Sequence, residues 1–409
     1  MTTIKDSVHD HIEVTGIAAA LLDTPPMQRL RHVKQLGTVG LVYPSANHTR
    51  FEHSLGVYHL ASRALDHLKV GGARRDRIEA AAILHDIGHG PFSHNIEALL
   101  HRRTGKYHDD VDELLADGAV GDVLRRRGIE PDRIAGLVRG EGDYGGLVSG
   151  ELDVDRMDYL VRDAHHTGVP YGTIDHGRLV RELRIVGGKL VLDSGNVQTA
   201  ESLLLARSFM NPTVYKHHVA RISKLMLRRA TECLLDETDI GATELRRMDD
   251  HDLLVALRSH ESSQEYARRY DNRDLFKRAM WAEFDDIPER LLDAGHDQIR
   301  SLEKQIADRL DIDRETVIVD IPSRPSMTES SARVMVNGEV RRLDDQSPLV
   351  KALRTAQQHK WRMGVYADSK ATREVGRAAV AELGLDLDGQ LISRVQRESK
   401  TTLDEFAAE

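Results

Sequence analysis

Apolar residues recur at helical spacing along most of the chain up to about residue 270. In residues 24–36, TPPMQRLRHVKQL, they follow at three-residue steps after a proline pair, which predicts one amphipathic helix. The stretch RFEHSLGVYHLASRALDHL keeps one apolar stripe and predicts a long helix with His53 in its first turn. RIEAAAILHDIG is apolar almost all round, which predicts a buried helix that ends at Gly88.

The pattern changes to short strands in two places. LRIVGGKLVLD predicts a hairpin near residues 183–193, turning at two glycines, before strong helical spacing returns over residues 196–235. Past residue 310, TVIVDIP, SSARVMVNGEVRRL and WRMGVYAD read as strands, and the second of these predicts a hairpin that turns at Asn337-Gly338. We therefore expect a mostly α protein, with a helical core over residues 1–280 and a smaller α+β region over 281–409.

Composition narrows the class of protein. A formal net charge of −9 and 4% aromatic residues disfavour a nucleic-acid-binding surface. Cys233 is the one cysteine, which excludes an intrachain disulfide and a cysteine-rich zinc site. No run of about 18 apolar residues is present, and the N-terminal residues lack a basic region followed by an apolar run, so we expect a cytoplasmic protein without a membrane partner.

The strongest chemical signal is the dipeptide His85-Asp86 in an apolar helix. A buried imidazole beside a buried carboxylate is costly unless both are paired or bind a metal. His53 and Asp155 lie on other predicted helices with an apolar stripe and can complete such a site. Two imidazoles and two carboxylates suit one divalent ion per subunit, which can be manganese, iron, magnesium or zinc.

The residues around this dipeptide strengthen the signal. A lone histidine among 21 is more often a structural residue than a ligand, but HDIGHGPFSH places three histidines and an aspartate within ten residues. A glycine-proline turn redirects the chain between them. Such clustering seldom serves packing alone and favours a functional site.

Five motifs now support a resemblance. They are, in chain order, MQRLRHVKQLG, HTRFEHSLGVYHLA, LHDIGHGPFSH, ELDVDRMDYLVRDAHHTGV and VYKHH. Together they resemble the HD-domain deoxynucleoside triphosphate (dNTP) triphosphohydrolases over roughly residues 5–280. The resemblance implies a helical HD-domain phosphohydrolase core, with the C-terminal third matching only loosely.

The resemblance also implies roles for single residues. The implied metal ligands are His53, His85, Asp86 and Asp155. The implied catalytic residues are His94, His89, His108 and Asp109, with Asp109 standing where the family has a glutamate. The implied substrate-binding residues are Gln35, Leu36, Arg50, Arg156, Tyr159, Asp163, Arg207 and Tyr215.

A regulatory site is implied as well. Asp23, Gln28 and Arg31 match residues that recognise a guanine effector across a subunit interface in this family. We therefore expect a homo-oligomer, dimer or tetramer, that a nucleotide of the dGTP or GTP type activates.

The expected function is hydrolysis of a dNTP to the deoxynucleoside and triphosphate. The residues by themselves support only hydrolysis of a phosphoester. Two alternatives stay open: an HD phosphohydrolase acting on a nucleoside monophosphate, cyclic dinucleotide or alarmone, and a weakly catalytic nucleotide sensor that uses the fold as a scaffold.

Overall fold

A computed structural model describes residues 2–327 and 331–385, which form two compact units. Unit 1 comprises Met1–Asn272 and Met327–Ala352, and unit 2 comprises Arg273–Ser326 and Leu353–Glu409. The sequence places one boundary at residue 280, whereas the contacts begin unit 2 at Arg273 and return the chain to unit 1 at Met327. Residues 386–409 of the predicted α+β region lie outside the described residues.

Helices dominate the fold, as the sequence predicts. In chain order they are α1 Gly16–Leu22, α2 Pro25–Arg29, α3 Arg50–His67, α4 Gly72–Leu84, α5 Glu97–Thr104, α6 Asp112–Ala116, α7 Gly118–Arg126, α8 Pro131–Val138, α9 Gly145–Val148, α10 Val154–Thr167, α11 His176–Arg181, α12 Val197–Met210, α13 His218–Glu237, α14 Ala242–Leu245, α15 Asp250–Ser259, α16 Glu261–Asp271, α17 Glu289–Leu292, α18 His296–Leu310, α19 Leu343–Gln346, α20 Pro348–Lys360 and α21 Thr372–Leu383.

Within the described residues, the strands form three small sheets. In chain order the strands are β1 Thr2–Asp6, β2 Asp10–Val14, β3 Leu183–Val186, β4 Lys189–Leu192, β5 Lys277–Glu283, β6 Val317–Asp320, β7 Arg333–Val336, β8 Glu339–Arg342 and β9 Arg362–Ala367. The sheet orders are β1-β2, β3-β4-β7-β8 and β5-β9-β6. All pairings are antiparallel except that of β4 with β7.

Both hairpins predicted from glycine turns are present. Gly187 and Gly188 have φ of 57° and 75° between β3 and β4, and Asn337 and Gly338 have 52° and 82° between β7 and β8. Positive φ at both turn residues is what a tight two-residue hairpin requires. The parallel pairing of Leu192 with Val334 joins the two hairpins into one sheet of unit 1.

The predicted single helix over residues 24–36 is wrong. Helix α2 ends at Arg29, and only a short 3-10 turn, Leu30–His32, follows it. The backbone beyond pairs with the segment that enters α3, since Arg50 N donates to Val33 O at 2.9 Å and Gln35 N to His48 O at 3.0 Å. These bonds satisfy the backbone that a helix would otherwise have paired internally.

Helices α3 and α4 pack together in the interior of unit 1. Their facing sides are fully buried, which follows from the apolar stripe of α3 and the apolar run Ile78–Leu84 of α4. A capping box fixes the start of α3: Thr49 N donates to Glu52 Oε2 at 2.6 Å, and the Thr49 side chain caps the helix. Arg50 and His53 are thereby held in the first turn of a buried helix.

Unit 2 packs α17, α18 and α21 with the sheet β5-β9-β6. Its core includes Met280, Ile306, Val319 and Val365, all at most 2% exposed. Trp361 closes this core and donates from Nε1 to Ser323 O at 3.0 Å. Among the described residues, no helix has the length and apolar character that a membrane span needs.

Helix α15 offers a matched test of the core of unit 1. Leu253 is fully buried in a cluster with Phe92, whereas Val255 on the same helix is 59% exposed. We expect Leu253→Ala to lower the free energy of unfolding by about 2–5 kcal/mol, because it leaves a cavity. Val255→Ala should change it by less than about 0.5 kcal/mol. Urea unfolding followed by circular dichroism measures both, and equal effects would contradict this packing.

Candidate active site

Three helices bring the four predicted metal ligands together. His53 comes from the first turn of α3 and Asp155 from the first turn of α10, which Asp153 caps by accepting from Arg156 N at 2.8 Å. His85 and Asp86 follow directly on α4, because this helix ends at Leu84 and not at Gly88. His85 is the C-cap of α4 with helical backbone angles, and its Nε2 lies 3.5 Å from Asp86 Oδ1, so the two side chains reach the same point.

The donor atoms converge to the spacing of ligands around one ion. His53 Nε2 lies 2.9 Å from Asp155 Oδ1, 3.2 Å from His85 Nε2 and 3.7 Å from Asp86 Oδ2. With metal–ligand distances of about 2.0–2.2 Å, neighbouring ligands lie about 3 Å apart. The side chain of Asp155 is 34% exposed, whereas the other three are at most 9% exposed. The site is therefore buried on three sides and open beside Asp155.

Outer contacts point both imidazoles at the centre. His53 Nδ1 is 2.8 Å from Asp158 Oδ2, and His85 Nδ1 is 2.9 Å from the carbonyl oxygen of Ala82. Both partners accept, so each Nδ1 carries a proton, and Nε2 is the ring nitrogen of each histidine that would face a bound ion. This is the usual arrangement of metal-binding histidines.

The electrostatics of the cluster favour a cation. Burial opposes a charge on His53, but hydrogen bonds to Asp155 and Asp158 raise the pKa of this imidazole to about 10. Burial likewise opposes ionisation of Asp86, yet Arg50 and His85 hold the pKa of Asp86 well below its usual range. Two nitrogen and two carboxylate donors in this field fit a divalent ion.

Arg50 is bound tightly to the same site. Its Nη1 donates to both carboxylate oxygens of Asp86 at 3.0 and 2.9 Å, and its Nε donates to Ser93 Oγ at 2.9 Å. The resemblance assigned this arginine to the triphosphate. Its contacts place the buried guanidinium directly beside the carboxylate of the predicted ligand Asp86.

The predicted catalytic histidines form a second cluster next to Asp86. His89 and His108 stack with ring centroids 4.2 Å apart, and His94 lies 4.7 Å from His89. His89 Nε2 is 3.3 Å from Asp86 Oδ1 without the alignment of a hydrogen bond. The side chain of His94 is 54% exposed, so it is the most accessible member of the cluster.

Glu97, which sequence reasoning missed, holds two of these histidines. Its carboxylate is hydrogen-bonded to Nδ1 of His94 at 2.6 Å and to Nδ1 of His108. Among the described residues, the Asp109 carboxylate bonds to neither ring, whereas Glu97 bonds to both. The signal was its position three residues after His94, where α5 begins.

The side chains of half-buried Arg29 and buried Asp250 also hold the loop that carries these histidines. Arg29 donates to the carbonyl oxygens of Ile87 and His89 at 2.9 and 2.7 Å, and Asp250 accepts from Phe92 N at 2.6 Å. Phe92 and Ser93 both have φ near +55°. Two consecutive non-glycine residues in this region are strained, and such strain concentrates at functional sites.

A polar group that includes predicted substrate-binding residues lies along α10. Asp163 accepts from Tyr215 Oη at 2.8 Å and is hydrogen-bonded to Nε2 of His48 at 2.7 Å. Tyr215 ends a π-helical turn, Asn211–Tyr215, and its ring lies 6.2 Å from that of Tyr159. Burial raises the pKa of Tyr215 well above its usual value, and Asp163 raises it further. Single π turns occur often at functional sites.

The remaining predicted substrate residues lie near this group. Gln35 is buried, and its Oε1 has no hydrogen-bond partner among the described residues, while Leu36 is half-buried. Burial raises the pKa of Tyr159 above its usual value, and the nearby charge of Arg207 opposes this shift. Arg156 donates to Asp153 and to the carbonyl oxygen of Gly150.

The predicted effector residues share one part of the surface. Gln28 donates to the carbonyl oxygen of Leu22 at 2.8 Å and accepts from Arg31 Nε at 2.7 Å. Asp23, at the end of α1, is exposed. Arg31 stacks on the ring of Phe51, with its Cζ 3.6 Å from the ring centroid. Gln28 and Arg31 are therefore in contact, and Gln28 also contacts the residue that precedes Asp23.

Two family models match the chain. The HD domain matches residues 50–163, which bracket all four predicted metal ligands. The HD-associated region matches residues 174–394. Together they span both units.

Two relatives and one solved structure are also similar to this chain over more than half of its length. An uncharacterized protein of Methanocaldococcus jannaschii is 35% identical over 92% of this chain and 81% of its own length. The crystal structure of a phosphohydrolase from Bacteroides thetaiotaomicron has a TM-score of 0.72 at 26% identity, covering 90% of this chain and 100% of that one. The deoxynucleoside triphosphate triphosphohydrolase SAMHD1 homolog of Dictyostelium discoideum is 30% identical over 56% of this chain, which spans about half (48%) of that relative.

Loss of one ligand should remove the metal. After dialysis against Mn²⁺, we expect about one ion per wild-type chain by elemental analysis. His85→Ala should weaken binding beyond the roughly 10- to 100-fold that loss of an outer hydrogen-bond partner costs. His251→Ala, an exposed histidine of α15, is the control and should keep wild-type content. Equal metal content in both variants would refute the assignment.

Proposed function

This chain is an HD-domain phosphohydrolase that carries the HD-associated region, and we propose that it hydrolyses dNTPs to deoxynucleoside and triphosphate. The observation that carries the proposal is the convergence of His53, His85, Asp86 and Asp155 beside the histidine cluster. The proposed reaction is that named for the Dictyostelium relative, a deoxynucleoside triphosphate triphosphohydrolase SAMHD1 homolog.

The four converging side chains would hold one divalent ion. When bound, such an ion polarises a phosphoryl oxygen and lowers the pKa of a coordinated water. Only Asp155 among the four has a substantially exposed side chain, so a substrate phosphate reaches the site from that side. Arg50, paired with Asp86, adds a fixed positive charge where negative charge builds on the phosphate.

His94 is the candidate for proton transfer. In the proposed reaction, water oxygen bonds to the α-phosphorus, the bond from phosphorus to the 5′ oxygen breaks, and the departing 5′ oxygen takes a proton. Glu97 accepts from Nδ1 of His94, which leaves Nε2 to exchange that proton. His108 shares the Glu97 carboxylate and His89 stacks on His108, so the three rings are held as one group.

The sugar would lie against the polar group on α10. Asp163 and Tyr215 hold each other, and the Oε1 of buried Gln35 lacks a hydrogen-bond partner among the described residues. A sugar hydroxyl is the kind of donor that this oxygen lacks, since buried acceptors are rarely left unsatisfied. The backbone of Gln35 is bonded to His48, which contacts Asp163, so these groups are contiguous.

Regulation by a guanine nucleotide and assembly into a homo-oligomer complete the proposal. Gln28 and Arg31 are in contact, Gln28 also contacts the residue before Asp23, and Arg31 stacks on Phe51 of α3. Phe51 lies two residues before the proposed ligand His53, so Arg31 contacts the helix that carries this ligand.

A substrate panel tests the reaction. With Mn²⁺ present, each dNTP and each NTP is supplied alone and in mixtures, and the products are separated by chromatography. We expect deoxynucleoside and triphosphate, with higher rates in mixtures that contain dGTP or GTP. Monophosphate and pyrophosphate as products would contradict attack at the α-phosphorus with loss of the nucleoside. Turnover of a monophosphate, cyclic dinucleotide or alarmone alone would favour the other phosphoester reaction.

Replacing His94 separates catalysis from metal binding. We expect His94→Ala to keep wild-type metal content and to lower kcat by about 10²- to 10⁴-fold, the usual contribution of a general acid or base. His101→Ala is the matched control, because His101 stacks on Tyr107 in the same region and should keep wild-type kcat. Loss of metal in His94→Ala would instead make His94 a ligand.

A further inference from the structure

The N-terminal hairpin β1-β2 reaches the interior of unit 1 next to the metal centre. The connection runs through Asp158 of α10, whose side chain is completely buried. Its Oδ2 is 2.8 Å from Nδ1 of the predicted ligand His53, and its Oδ1 is 2.7 Å from Nε2 of His9. A residue of the hairpin and a metal ligand thus share one carboxylate.

A second residue of the hairpin contacts the same group through Arg162. Arg162 is completely buried and donates from Nε to Asp158 Oδ2 at 2.8 Å, while its Nη1 donates to Asp6 Oδ2 at 2.8 Å. Asp6 also accepts from the backbone N of Val8 and His9 at 2.9 and 2.8 Å. Asp6 therefore anchors Arg162 and shapes the turn that presents His9.

Helix α3 leaves room for this network. A Cβ at Gly56 would lie 1.8 Å from Asp158 Oδ1 and 2.5 Å from Arg162 Nη2. Gly56 lies three residues after His53 and so on the same face of the helix. The missing side chain lets the ion pair of Asp158 and Arg162 press against the helix that carries the ligand.

The charges of the network act on His53. Asp6 and Asp158 are buried carboxylates that share the guanidinium of Arg162, and Asp158 lies directly behind the Nδ1 of His53. A carboxylate in this position fixes the orientation and tautomer of a metal-binding histidine and increases its basicity. Asp158 is itself oriented from two sides, by Arg162 and by His9.

We propose that the hairpin β1-β2 is a positioning element of the metal centre, in which Asp6 and His9 fix Asp158 and thereby His53. This inference rests on the proposed metal-dependent function. Asp6 and His9 touch neither substrate nor metal and act only through Asp158. Completing the site therefore requires the first fourteen residues of the chain, although its ligands lie more than thirty residues further along.

The test measures metal binding directly in the full chain. We expect Asp6→Asn and His9→Ala each to weaken Mn²⁺ binding in equilibrium dialysis by roughly tenfold or more, within the range for outer partners of metal ligands. His9→Gln keeps a side-chain N–H donor and should recover much of the affinity. Asp10→Asn is the control, because Asp10 belongs to the same hairpin but is exposed and contacts Lys5.

A spectroscopic measurement distinguishes positioning from a general loss of stability. The visible spectrum of the Co²⁺-substituted protein should change in Asp6→Asn and His9→Ala and stay the same in Asp10→Asn. Circular dichroism and the Tm of the metal-free proteins show whether the variants fold. If Asp6→Asn does not fold, the comparison of His9→Ala with His9→Gln decides.

The possible failures can be told apart. If wild-type protein binds no Mn²⁺, the proposed metal-dependent function fails together with this inference. If wild-type protein binds Mn²⁺ and folded Asp6→Asn and His9→Ala bind it equally well with an unchanged Co²⁺ spectrum, only the positioning role is overturned.

Discussion

The burial of several carboxylates in one place is the constraint on which the site depends. Asp86, Asp155 and Asp158 surround His53 at the meeting of α3, α10 and the end of α4. Unpaired buried carboxylates would destabilise the fold strongly, so positive partners are required. Arg50 pairs with Asp86 and Arg162 with Asp158, whereas Asp155 pairs with the imidazole of His53. A bound cation would replace the His53 proton as the positive partner of Asp155.

Most of the architecture follows from local patterns in the sequence. Apolar stripes of helical period identify α3, α4 and α10, and two glycine turns identify the hairpins of the four-stranded sheet. The convergence of the four predicted ligand side chains also agrees with the sequence. A histidine-aspartate pair in so apolar a setting is costly unless it binds a metal or a charged partner. The roles of the substrate and effector residues came from the resemblance alone and remain predictions.

The features that the sequence did not reveal depend on contacts between distant segments. Helix α2 stops early because the strand-like backbone after it pairs with residues 48–50. Glu97 bonds to His94 and His108 because the fold brings the three side chains together, and no sequence motif indicates this contact. The hairpin β1-β2 carries few apolar residues, and its buried Asp6 forms an ion pair with Arg162, which is distant in sequence. Each of these depends on tertiary partners that outweigh local propensity.

The return of the chain to unit 1 at Met327 has a consequence for how this protein is made. Strand β4 gains its parallel neighbour β7 only from a segment that follows the first part of unit 2. While the chain emerges from the ribosome, β4 therefore presents an unpaired edge for as long as the intervening residues take to be synthesised. Unpaired edges invite association with other chains. Fragments that end between the two units keep this edge permanently, so domain dissection of the protein must retain residues 327–352 with the helical core.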